Sequence, residues 1–128
     1  MIAITPLYAG LLALLFIALS LRVIGARREL RVSVGDGGEK LVIKRMRVQA
    51  NCAEYAPMGI ILLALAELQA MPVWSLHVLG LTLLGGRVLH AYGFGSTPQV
   101  IWGRVWGMYL TFAAITVLAL ANIALALL

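Results

Sequence analysis

Four long apolar runs divide the chain, and the third and fourth are too apolar to be the surface helices of a soluble domain. The first covers about residues 2–24 and holds no charge before Arg22. About 20 residues suffice to cross the hydrocarbon core of a bilayer as a helix. Its opening, MIAITPLY, lacks the basic region of a cleavable leader, so it reads as a retained first helix. The stretch ARRELRVSVGDGGEK then breaks the pattern with Gly35, Gly37 and Gly38 and reads as a loop. A second helix begins near Leu41; its first part, KRMRVQAN, is too polar for lipid and projects from the membrane, with the span placed at about 43–70. Pro72 suits the first turn of a third helix over about 73–92. The segment GFGSTPQ must turn, and a fourth run fills about 102–128. In lipid every backbone polar group needs an internal partner, so the expected fold is all-α: one four-helix transmembrane domain over 1–128.

Composition makes the membrane reading firmer. Hydrophobic residues are 62% of the chain, charged residues 12%, and the mean hydropathy is +1.00. Soluble domains average about 45–50% apolar and about 25% charged residues. A small domain has too little interior to hide that excess, which excludes both a soluble globule and a disordered chain. The net charge of +5 and a pI near 10.0 also fit a nucleic-acid binder. The positions of the charges decide otherwise. Arg22, Arg27, Arg28, Arg31, Lys40, Lys44, Arg45 and Arg47 cluster in and around the first connection, and Arg87 and Arg104 flank the third. By the positive-inside rule both polar loops face the cytoplasm and both termini face outward. Anionic lipid headgroups then account for the basic residues, and no nucleic-acid partner is expected. The single cysteine, Cys52, excludes an internal disulfide.

An ionisable residue within a span is costly and calls for a reason. The second helix carries RVQANCAEYAP. At about 100° per residue, with Arg47 at 0°, Asn51 falls near 40°, Glu54 near −20° and Tyr55 near 80°. These four form one polar face at the cytoplasmic mouth of the bilayer. Gln49, near 200°, lies on the other side, and Cys52, near 140°, is off the face and suits a packing role. Pro57 is placed to bend the helix and open a recess. A guanidinium grips carboxylate bidentately, an amide offers donor and acceptor, and a carboxylate takes an ammonium. The set suits a zwitterionic or peptide-like ligand. The same spacing also fits an internal Arg47–Glu54 pair, with Asn51 and Tyr55 tying helices together.

Arg87, inside the third span, is expected to snorkel to the interface. His90 alone reads as a packing residue, and no second His or acid stands at metal-ligand spacing, so no metal is expected. Arg104 lies among Trp102, Trp106 and Tyr109, which also fit an interfacial aromatic belt.

The segments SLRVIGARRELRVS (Ser20 to Ser33) and RVQANCAEYAP (Arg47 to Pro57) resemble the MAPEG family, the membrane-associated proteins in eicosanoid and glutathione metabolism. The specific elements are R-x-x-x-N-x-x-E-Y in a membrane helix and V-I-x-A-R-R closing the preceding span. The resemblance implies a homotrimer of four-helix subunits in the inner membrane, with glutathione as co-substrate at each subunit interface on the cytoplasmic side. It implies that Arg47, Asn51, Glu54 and Tyr55 hold the tripeptide, that Arg27 touches it from the first helix, and that Gln49 contributes across the interface. Arg28 matches a second arginine at the membrane boundary. Arg104 resembles the arginine that activates the thiol, across a gap in the alignment. His90 and Phe94 stand where enzymes of the family carry tyrosines that contact glutathione; His90 can still donate a hydrogen bond to the ligand, Phe94 cannot. The implied activity is a glutathione transferase, with peroxidase as a further capacity, acting on a hydrophobic electrophile that arrives from lipid. The alternative is a non-catalytic lipid-binding or scaffold protein of the same fold.

Overall fold

The computed structural model describes residues 1–128 as four helices: α1 (Thr5–Glu29), α2 (Lys40–Leu68), α3 (Val73–Gly95) and α4 (Ile101–Leu127). All-α is the observed class.

The helix ends differ from the expected ones for local reasons. Helix α1 runs five residues beyond position 24, because Gly25 through Glu29 contain no proline and Arg27 and Arg28 favour its C-terminal dipole. It closes with Leu30 N–H donating to the Ala26 carbonyl at 3.0 Å and Val32 N–H to the Arg27 carbonyl at 2.9 Å. Arg31 takes the left-handed conformation, φ 56°, that this closure usually gives to glycine. Helix α2 starts at Lys40, three residues earlier than the expected span, and stays unbroken through Pro57 to Leu68. Helix α3 extends to Gly95, carrying Phe94 on its last turn.

The helices alternate in direction. Lys44 on α2 reaches Ser96 after α3, Asn51 meets Arg87, and Gly59 abuts Leu83. Helix α1 lies against α2 and α3, and its backbone stays away from that of α4. The closest pair is α3 and α4. A methyl group on Gly93 would collide with the Arg104 backbone, and one on Gly107 with the backbone of His90. Gly103-x-x-x-Gly107 thus forms a small-residue seam that brings two backbones together, the packing mode available where lipid removes the hydrophobic incentive.

Only 28 of 128 residues are buried, while large apolar side chains such as Leu14, Leu21, Leu81 and Leu120 point outward. That inversion suits a lipid surround. Helices α1, α2 and α4 are each long and apolar enough to cross a membrane. Helix α3, the remaining expected span, carries His77, Arg87, His90 and several glycines, and buries Arg87 and His90 inside the bundle. Its polarity faces its neighbours.

At the end of the bundle that holds the chain termini, Glu67 caps α1 from another helix. Its carboxylate accepts from the backbone N–H groups of Ala3 and Ile4 at 2.6 Å and Thr5 at 2.7 Å. Ile4, at the N-cap position, has no side chain able to do this.

Candidate functional site

The polar face of α2 forms as its spacing predicts, but its members do different things. Arg47 and Glu54 lie outside the bundle, more than half exposed, with Nη1 and Oε1 4.0 Å apart. An exposed pair at that distance contributes at most about 1 kcal/mol, which leaves both groups open to a ligand. Asn51 and Tyr55 turn towards α3 and α4. Tyr55 packs edge-on against Phe112 of α4, ring centroids 5.5 Å apart. Gln49 points the other way, to α1, where its amide donates to Ser20 Oγ at 3.4 Å.

Beneath this face lies Arg87, the largest fully buried side chain, at 1% exposure. The expectation that it snorkels is corrected: the guanidinium points inward and is held on every side. Nε donates to Thr111 Oγ1 at 3.0 Å, and Nη1 donates to Asn51 Oδ1 at 2.5 Å and to the Asn51 carbonyl at 3.2 Å. Nη2 meets Met108 Sδ at 3.1 Å, and the Tyr55 ring centroid is 5.5 Å from Cζ. One arginine therefore ties α2, α3 and α4 together at the level of the polar face. Residue spacing along α3 gave no sign of this, because it depends on which helices flank that face.

Arg104 lies on the exposed first turn of α4. Its Cζ sits 4.0 Å above the Phe94 ring, and Nη1 donates to Gln99 Oε1 at 3.1 Å. His90, buried at 3%, stands edge-on to the same Phe94 ring at 5.7 Å. Arg27 leans on α2, its Nη2 3.4 Å from Met46 Sδ, and Arg28 beside it is exposed. Cys52 is buried in the core, as its off-face position predicts.

Both polar connections meet at this end of the bundle. Lys44 Nζ donates to the Ser96 carbonyl and to Thr97 Oγ1, both at 2.7 Å, and Arg45 Nη1 to the Arg22 carbonyl at 2.9 Å. Part of the basic cluster thus fastens loops and helix ends together.

On the α1 side of α2, away from the polar face, Pro57 borders an apolar recess of about 220 Å³ between α1 and α2. Leu12, Phe16, Cys52, Ala53, Ala56 and Ile60 are among its walls. Proline cannot donate the helical hydrogen bond to the Ala53 carbonyl. A recess is expected at the polar face, whereas the one bordered by this proline opens towards α1.

The arrangement offers two exposed charges of opposite sign, an amide and a phenol on one side of α2, an apolar hollow on the other, and arginines on α1 and α4 at the same end. Compared with known families, residues 5–124 match the MAPEG family. This chain belongs to the MAPEG family. Its membership makes it a membrane protein of a family that includes glutathione transferases. Among curated relatives, the inner membrane protein YecN of Escherichia coli strain K12 is 36% identical over 120 residues, covering 94% of this chain and 90% of that protein. The YecN of Escherichia coli O6:H1 strain CFT073 matches to the same extent. Within this MAPEG chain, the two specific motifs fall on the C-terminal end of α1 and the facing part of α2.

Proposed function

We propose that this protein is a membrane-embedded, glutathione-dependent transferase that conjugates the glutathione sulfur to a hydrophobic electrophile, with peroxide reduction as a related capacity. The observation that carries this reading is the polar face of α2. Arg47 and Glu54 stay open at its surface while Asn51 and Tyr55 are braced from behind by Arg87. A purely structural role would have buried and satisfied all four.

Arg47 with Asn51, and Arg27, suit the carboxylates of the tripeptide, Glu54 its ammonium, and Tyr55 and His90 its polar backbone. In a homotrimer, Gln49, on the far side of α2, reaches the neighbouring subunit's ligand. Free thiols ionise near pH 8.5, so at neutral pH most glutathione is the unreactive thiol. A guanidinium beside the sulfur favours the thiolate, each pKa unit corresponding to about 1.4 kcal/mol. Arg104 fills that role. The thiolate then attacks the electrophilic carbon, a sulfur–carbon bond forms, and the leaving group departs with the electron pair. The apolar recess at Pro57 and the lipid-facing helices let such an electrophile approach sideways from the bilayer.

The basic connections belong on the cytoplasmic side of the inner membrane, with both termini outside and α3 crossing as the fourth span inside the assembled bundle. Purified protein given glutathione and 1-chloro-2,4-dinitrobenzene should form the conjugate, and Arg104→Ala should lower turnover at least about tenfold. Full turnover in that variant removes Arg104 from the mechanism.

One observation favours the second reading, a lipid-binding or scaffold protein. The Arg104 guanidinium rests on Phe94, an aromatic ring without a hydroxyl to offer a ligand. Calorimetric titration separates the two, since a scaffold has no need to bind the tripeptide.

A further inference from the structure

Arg87 and Asn51 are joined through both oxygens of the asparagine. A guanidinium has five N–H donors and no acceptor, so the Asn51 atom 2.5 Å from Nη1 has to be the amide oxygen. Arg87 also occupies the Asn51 main-chain carbonyl, at 3.2 Å. Both oxygens of Asn51 are therefore engaged by Arg87, and its side-chain NH₂ has no partner within the subunit. With its oxygen drawn to the guanidinium, the amide turns its donor end away from Arg87. Behind it the buried guanidinium touches an amide, a hydroxyl, a thioether and an aromatic ring, all neutral. The chain's one ion pair, Arg47–Glu54, lies elsewhere. A buried charge without a counter-charge is expensive, and an anion bound in front of Asn51 offsets part of that cost.

We infer that Arg87 is a positioning residue for anion recognition: it turns the Asn51 amide donor-side out and backs it with a fixed positive charge, so that this part of the polar face selects a carboxylate. The inference rests on the glutathione reading and narrows it, since the tripeptide must enter with a carboxylate against Asn51.

Met108 gives a test that leaves Arg47, Asn51, Glu54, Tyr55 and Arg104 untouched. Its Sδ sits 3.1 Å from Arg87 Nη2, so Met108→Glu places a carboxylate on the guanidinium, and Met108→Gln is the neutral control of the same shape. Purified protein in micelles is titrated calorimetrically with glutathione and with its diethyl ester, in which both carboxylates are neutral. Wild type and Met108→Gln should prefer the acid over the ester equally. Met108→Glu should lose that preference about tenfold while melting no lower than Met108→Gln, because an internal ion pair has replaced the ligand as counter-charge. Thr111→Asp, which approaches Nε instead, should repeat the loss and covers the case in which Met108→Glu does not fold. An unchanged preference in the folded acidic variants overturns the role of Arg87, and so does an equal loss in Met108→Gln. Failure of the wild type to bind glutathione overturns the functional reading, and this one with it.

Discussion

Replacing Asn51 by leucine takes the side-chain oxygen away from the Arg87 guanidinium and leaves it only the main-chain carbonyl on α2. Hydrogen bonds to charged groups contribute about 1.5–3 kcal/mol each, and the charge left behind stays buried. Asn51→Leu should therefore cost about 2 kcal/mol or more in unfolding free energy, measured by denaturation in micelles. Glu54→Gln should cost less than about 1 kcal/mol, because its pair with Arg47 is exposed and long. The contrast separates two residues three positions apart on one helix. If Glu54→Gln proves as damaging as Asn51→Leu, the pair is structural and its availability to a ligand is lost. Glu67 makes a similar point at the other end: Glu67→Ala leaves the amides of Ala3, Ile4 and Thr5 without their shared acceptor. It should cost about 1–3 kcal/mol and speed hydrogen exchange at those three amides ahead of the rest of α1.

Among the elements, α3 and α4 depend on glycine. Gly107→Leu would force the α4 backbone away from His90, and Gly107→Ala already meets backbone, which cannot yield as a flexible side chain does. Both should destabilise the fold, leucine far more, whereas Gly85→Ala, with open space around it, should be neutral or slightly stabilising. Thermal melts of the three variants check the order. The Gly103-x-x-x-Gly107 spacing stands in the chain, but that α3 is the helix it packs on is known only from the structure. Hydropathy found all four helices and missed their ends by a few residues, most at α1, where Arg31 occupies a left-handed position usually marked by glycine. The α2 face was legible because Arg47, Asn51, Glu54 and Tyr55 belong to one periodic element. Arg87 was not, since the same arginine snorkels or turns inward according to which helices lie beside it, and no local pattern encodes that.

Over the whole molecule, an apolar exterior coexists with a polar face that one subunit leaves open. The proposed homotrimer covers part of that exterior and brings Gln49 of one copy to the ligand of another. Native mass spectrometry should give three times 13.8 kDa for the protein alone. A monomer would remove the expected role of Gln49 across the interface.

The seam between Gly93, Gly103 and Gly107 bears on how the protein behaves outside its native bilayer. Detergent tails are as oily as lipid tails and can wedge between side chains, but they find no gap where one main chain rests on another. Harsh extraction should loosen the molecule first along α1, beside the hollow at Pro57. Limited proteolysis would then cut the Gly35–Gly38 connection and release α1 from a fragment in which α3 and α4 stay packed together.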